Sequence, residues 1–225
     1  MMKRNQSGFT LIEIAIVLVI IGLLLGGVMK GQELINSAKV KNLAADFKNT
    51  SLYIYSYQDK FRALPGDDAL AASHVTGATP ATTPASVLGN GRIDGAWDSA
   101  TPSDESFLFW QHVRMAGIAT GLTNINDAVG YPQRNTLGGL VGITNSISAA
   151  DGYLPIANLK GAYIICSANI QGKFAKQLDI MMDDGATNSG SMMTATTDTP
   201  LIGDQAPAAV ADPDDTTLYT VCMGV

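Results

Sequence analysis

Charge is scarce in this sequence. Only 15% of its 225 residues are charged, with 14 Lys and Arg against 20 Asp and Glu. A net formal charge of −6 leaves no clustered basic surface, and phosphate recognition needs one, so no nucleic-acid partner is expected. Histidine is rarer still. His74 and His112 are the only two, and neither has a Cys, His or Asp at metal-ligand spacing, so both read as surface or helix-edge residues. Two cysteines, Cys166 and Cys222, form no CxxC metal or redox motif. The chain also lacks GxSxG, a P-loop and HExxH, and no cysteine stands beside a usable histidine. Ser103 and His112 lie apart with nothing to bring them together. The sequence is not that of an enzyme.

One long hydrophobic run is there instead. From Phe9 to Met29 the residues are apolar or small apart from Thr10 and Glu13. A helix needs about 20 such residues to cross a hydrocarbon core. In lipid the backbone must bond to itself, which makes this run a membrane helix. Lys3 and Arg4 precede it, as in a secretory signal. A signal is cut after its apolar run, whereas the small residue here, Gly8, stands before the run. A cut after Gly8 would keep the helix and make Phe9 the new N-terminus. Glu13 is the second oddity, because an unpaired carboxylate in lipid costs several kcal/mol. It either snorkels to the interface or pairs with a cation. Its own N-terminal amine lies behind it along the helix, so the amine of a neighbouring subunit is the natural partner. Pairing of that kind would set the register of an assembly.

Gly8-Phe9-Thr10-Leu11-Ile12-Glu13 and the run behind it resemble the cleavage and N-methylation motif of type IV prepilins and type II secretion pseudopilins. The resemblance covers roughly residues 1–61. It implies that a membrane prepilin peptidase cuts after Gly8, that Phe9 is then N-methylated, and that Glu13 is the assembly glutamate. It implies further partners: like subunits in a homo-polymer or hetero-filament, inner-membrane assembly machinery, and lipid before assembly. The family often carries a proline near Lys30, and here Gly22, Gly26, Gly27 and Gly31 occupy that region. Glycine weakens a helix by about 0.5–1 kcal/mol relative to alanine, so this is where the helix would loosen. Spaced four apart, the same glycines also suit a helix-packing face.

Loss of residues 1–8 removes two basic residues and no acidic one. The leader charge favours a cytoplasmic leader and an exported C-terminal bulk. An exported domain with one even pair of cysteines is expected to join Cys166 to Cys222, two buried free thiols being the alternative. Beyond the apolar run the helix continues. Val40, Phe47, Ile54 and Phe61 recur every seven residues, with Leu43, Tyr57 and Leu64 beside three of them. Such a seam needs a packed partner. Leu64-Pro65-Gly66 stops it, after a helix on the order of 80 Å from Phe9 to about Phe61. The expected organisation is a leader at 1–8, a transmembrane and assembly half-helix at 9–30, an amphipathic half-helix at 31–64 and a globular head at 65–225.

In the head, residues 65–102 read as a long ordered connection. Thr101-Pro102 followed by acids predicts a helix with a Thr cap, ending near Gly117. Residues 118–160 suggest short strands and turns. Gly161–Cys166 is the clearest strand, and 172–179 predicts a short helix passing over 178–185 into a strand ended by a turn. Residues 186–216 read as loop, and Leu218–Cys222 as a last strand. The fold expected is α+β and pilin-like, a small, mainly antiparallel sheet packed on the helix seam.

Calcium is the cofactor considered. Asn90-Gly91-Arg92-Ile93-Asp94-Gly95 echoes an EF-hand opening, but Arg92 and Thr101 fall where ligands belong, which leaves a looser site at Asp94 and Asp98. Asp183 and Asp184, with Asp212, Asp214 and Asp215, read as a solvated turn and tail. The expected function is a structural subunit of a type IV pilus or pilus-like filament. A type II secretion pseudopilin, or a minor or tip pilin acting as an adhesin, is the alternative. Either way the protein would be single-pass in the inner membrane before assembly, its head outside the cytoplasm.

Overall fold

The structure is a computed structural model that describes residues 10–83, 88–145, 154–196 and 206–225. Helix α1 runs from Leu11 to Phe61. It is followed by α2 (Ala71–His74), α3 (Glu105–Met115), β1 (Val141–Asn145), β2 (Tyr163–Gln171), α4 (Gly172–Met182), β3 (Met192–Thr196) and β4 (Leu218–Gly224). Two compact units divide at Ala38, the first ending there and the second beginning at Lys39. The architecture is α+β and pilin-like: one long apolar N-terminal helix, then a small antiparallel sheet with helices.

In the second unit α1 buries Val40, Leu43, Ala44, Phe47, Thr50, Ile54 and Tyr57. Successive steps of three and four residues keep these on one face. Two of them carry hydroxyls and both are bonded: Thr50 donates back to the Asp46 carbonyl at 2.8 Å and Tyr57 to Asp68 Oδ2 at 2.8 Å. At the C-terminal end Arg62 takes a φ of 56°, the left-handed turn that ends a helix, and donates to the Gln58 carbonyl at 2.8 Å.

The sheet is ordered β1-β2-β4-β3 with every neighbour antiparallel. Both of its faces are covered. Ile165, Val221 and Met192 belong to the main core with the α1 seam, Trp110, Tyr131 and Phe174. Their neighbours Ile164, Cys166, Cys222 and Met193 join Ile156 and Leu159 in a second cluster. Alternation along each strand sends successive side chains to opposite faces, so a sheet covered on both sides reads as a continuous apolar run. Cys166 stands directly opposite Cys222 in the β2–β4 register, and the two form a disulfide.

Three expectations are corrected. Helix α3 begins at Glu105, not at Thr101–Pro102, because Asp104 uses its carboxylate on tertiary partners: Oδ2 accepts from Ser99 Oγ at 2.6 Å and Oδ1 from Thr83 Oγ1. Helix α4 continues to Met182 where a strand was expected, since Phe174, Ala175 and Leu178 keep helical spacing into the core. Strand β3 lies inside the stretch read as loop. Its sequence is weakly strand-forming, and it is held by pairing along the free edge of β4.

Candidate functional site

Thr10 and Glu13 form a reciprocal pair at the start of α1. The Thr10 amide and hydroxyl both donate to Glu13 Oε2 at 2.7 Å, and the Glu13 amide donates to Thr10 Oγ1 at 3.3 Å. This is the capping box that the spacing Ser/Thr-x-x-Glu produces when it opens a helix. The signal was legible in the sequence, where Glu13 was considered as an interfacial or an assembly residue but not as half of a cap. Both accepted bonds fall on Oε2, so among the described residues Oε1 has no hydrogen bond. Gly8 and Phe9 lie outside the described residues.

The run that follows is uncovered. Its most apolar 18-residue window has a mean hydropathy of 2.8 and none of it is buried; by length and composition it can cross a membrane. Leu11 is 92% exposed and Leu23 74%. Methyl groups added at Gly22, Gly26, Gly27 or Gly31 would meet nothing within 4 Å. Lys30 and Glu33 pair across one turn at 2.6 Å on the exposed surface. An apolar helix with its small residues unoccupied and a single carboxylate at its head is a surface made to be covered.

Residues 3–29 match the family described as the prokaryotic N-terminal methylation motif. The N-terminus is prepilin-type. The match spans the leader, Gly8, Phe9, Glu13 and the apolar run, and it supports a type IV pilin- or pseudopilin-like subunit. No curated protein and no solved structure matches the chain. The part of the chain beyond the matched motif therefore has to be read from its own residues.

Asp94 and Asp98, the calcium candidates, do not converge on a group of three carboxylate, His or Cys ligands among the described residues. Asp94 accepts from Asn90 Nδ2 at 2.8 Å through Oδ2 and from Asn145 Nδ2 through Oδ1. Asp98 instead lines a cavity of about 350 Å³ with Trp97, Phe107, Trp110 and Tyr131, and burial raises its carboxyl above the ordinary range. The stronger partner of this loop was missed. Asp67 is buried and accepts the amides of Gly89, Asn90 and Gly91 at 2.5, 3.1 and 2.7 Å, holding the glycine turn in place. Beside it Glu105, 2% exposed, accepts the Asp94 amide at 2.7 Å. Burial pushes its carboxyl up to about 8, that amide opposing and Asp67, Asp94 and Asp104 adding to the rise.

Of the two histidines read as surface or helix-edge residues, His112 departs from that reading, while His74 is partly exposed at the end of α2. His112 is fully buried, its Nδ1 accepting the Gly66 amide at 3.0 Å and its Nε2 meeting the Thr79 carbonyl at 2.8 Å. His74 does have a carboxylate neighbour, which sequence spacing did not reveal. Its Nδ1 lies 2.7 Å from Oδ2 of buried Asp68, the same oxygen that accepts from Tyr57 at 2.8 Å.

The C-terminal acidic set divides. Asp212 and Asp215 pair with Lys176 at 2.8 and 3.2 Å, and Asp214 is held at about 2 by the hydroxyls and amides of Thr216 and Thr217. Asp183 and Asp184 are joined instead by Asp179, a residue the sequence reading passed over. Oxygens of these three carboxylates lie within 4.8 Å of one another, and Asp179 is fully buried.

Proposed function

We propose that this chain is a structural subunit of a type IV pilus or pilus-like filament, cut after Gly8, methylated at Phe9 and polymerised through the first half of α1. The observation that carries the reading is the uncovered apolar run headed by Glu13, lying within the matched motif. Lipid covers such a run before assembly, and the same halves of neighbouring subunits cover it afterwards. Glu13 then uses Oε1 for the new amine of an adjacent Phe9, an ion pair strengthened by the low dielectric around it. The partners that follow are a prepilin peptidase, inner-membrane assembly machinery, lipid and further pilin-like subunits. The role is structural and not enzymatic. Lys3 and Arg4 hold the leader in the cytoplasm, and the domain with the disulfide folds outside it.

A tip-subunit reading is favoured by one feature, the cavity beside Trp97 and Trp110, which is roomy enough for a small ligand group. A pseudopilin of a type II secretion apparatus would share the N-terminal device in full. Intact-mass analysis of sheared surface material and of membranes separates these readings. Abundant protein in the sheared fraction, beginning at methylated Phe9, is the result expected for a fibre subunit. Processed protein confined to the membranes identifies a pseudopilin or minor subunit. An unprocessed mass beginning at Met1 or Met2 in both fractions would overturn the proposal.

A further inference from the structure

Asp179 lies on the last turns of α4 with no exposed surface, and among the described residues neither of its carboxylate oxygens has a hydrogen-bond partner. The amides of Gly185 and Ala186 face it without completing a bond. A buried carboxylate left in this state costs several kcal/mol, and a fold that retains one neutralises it with a positive charge or a proton. No Lys or Arg among the described residues is paired with it. Around it the chain gathers more negative charge: oxygens of Asp183 and Asp184 come within 4.8 Å of each other and of Asp179.

We infer that Asp179, Asp183 and Asp184 bind a calcium ion that fastens the end of α4 to the start of β3. All three ligands are carboxylates, with no imidazole or thiolate, which selects a hard cation over zinc or copper. Calcium suits the set better than magnesium, because it accepts irregular groups of six to eight oxygens, whereas magnesium demands a near-octahedral shell. Waters or backbone carbonyls of the 183–190 turn complete the shell. The neighbouring carboxylates are already aimed. Asp183 accepts from the Met192 amide at 2.8 Å and Ser191 Oγ at 3.0 Å, and Asp184 from the Ala186 amide at 2.8 Å and Ser189 Oγ at 3.1 Å. Each oxygen keeps a second lone pair for a cation. Gly190 allows the approach, since a methyl group there would fall 2.1 Å from Asp183 Oδ2. This site is separate from the N-terminal device and does not depend on which filament the chain builds.

The test is calorimetric titration and thermal melting of the full chain in detergent after chelator treatment, with calcium chloride and magnesium chloride as probes. Calcium is expected to bind saturably at one site. At a hundredfold excess over its dissociation constant it should raise Tm by about 5–10 °C, with magnesium giving little change. Asp184→Asn and Asp179→Asn should abolish the rise. The latter should also melt in chelator no lower than the parent, because it removes an unpaired buried charge. Asp94→Asn and Asp212→Asn should keep the calcium response. Absence of saturable binding, an equal rise with magnesium, or a rise that survives Asp179→Asn would overturn the inference. So would a loss of response in Asp212→Asn, which would show general screening.

Discussion

The amide of Gly66 donates to Nδ1 of His112 at 3.0 Å, which fixes the state of a histidine that has no exposed surface. An Nδ1 that accepts is unprotonated, so the ring is neutral with its hydrogen on Nε2, where it donates to the Thr79 carbonyl at 2.8 Å. The ring thus ties two loop stretches to α3. His112→Ala would orphan one amide and one carbonyl and open a cavity. It should cost about 3 kcal/mol, read as a Tm lowered by about 6–12 °C.

His112 and Glu105 impose opposite limits on pH. Burial lowers the His112 pKa, so below about pH 6.5 the unfolded ring gains a proton that the folded ring refuses, and stability falls on acidification. Glu105 behaves in the other sense. Its carboxyl ionises near 4.5 in the unfolded chain and near 8 in the folded one, so between those values the folded state holds a proton the unfolded state has lost. Stability contributed by that group therefore falls as pH rises from about 5 to 8. Glu105→Gln should flatten this part of the profile and melt higher than the parent at pH 8. A steeper fall in the variant would contradict the assignment.

The Cys166–Cys222 bridge joins positions 56 apart in sequence. Reduction, or the double change to alanine, should cost up to about 4 kcal/mol by the chain-entropy argument. Urea unfolding with and without reductant measures it directly.

Glu13→Ala tests the proposed assembly pairing apart from processing. The variant should still be cut after Gly8, since the scissile bond and leader are intact, yet should accumulate in the membrane fraction and leave fibres depleted at least tenfold. Normal entry into fibres would show that the capping box with Thr10 is the whole role of Glu13.

Two glycines should respond in opposite ways. A methyl group at Gly142 would lie 1.7 Å from the Trp97 carbonyl oxygen, so Gly142→Ala should cost about 3 kcal/mol in a melting experiment. At Gly26 the added methyl meets nothing within 4 Å, and alanine should leave the head's melting unchanged. Gly26→Leu should do the same in detergent while reducing filament yield, because the small residue matters only when another helix lies against it.

Legibility in the sequence followed the range of the interaction. The α1 seam was readable because its repeat runs through three full heptads from Val40 to Phe61, and all but the last of these four residues is buried. Strand β2 announced itself through Tyr163, Ile164 and Ile165, and the disulfide through the even pair of cysteines in a chain expected to be exported. Strand β3 was hidden, since Met192 to Thr196 owe their extended form to the β4 edge and not to propensity. The start of α3 was misjudged for a related reason: Thr101 and Pro102 suggest a helix start, but Asp104 is held extended by its bridge to Thr83 and its bonds to Thr83 and Ser99. His112 was misread, and Asp67 and Asp179 passed over, because burial of a polar group is decided by what packs over it, and no local spacing encodes that.

The place of β4 has a consequence for timing. Although last in sequence, it lies between β2 and β3 and supplies the thiol for Cys166. In the topology proposed above, with the leader left in the cytoplasm, β1, β2, α4 and β3 would cross before the strand that joins them. Strands β1 and β2 can meet early, but β3 has no partner in the sheet until Leu218 to Gly224 have followed. On that proposal the sheet is completed only after its final strand has crossed, and a subunit would become fit for a filament only then.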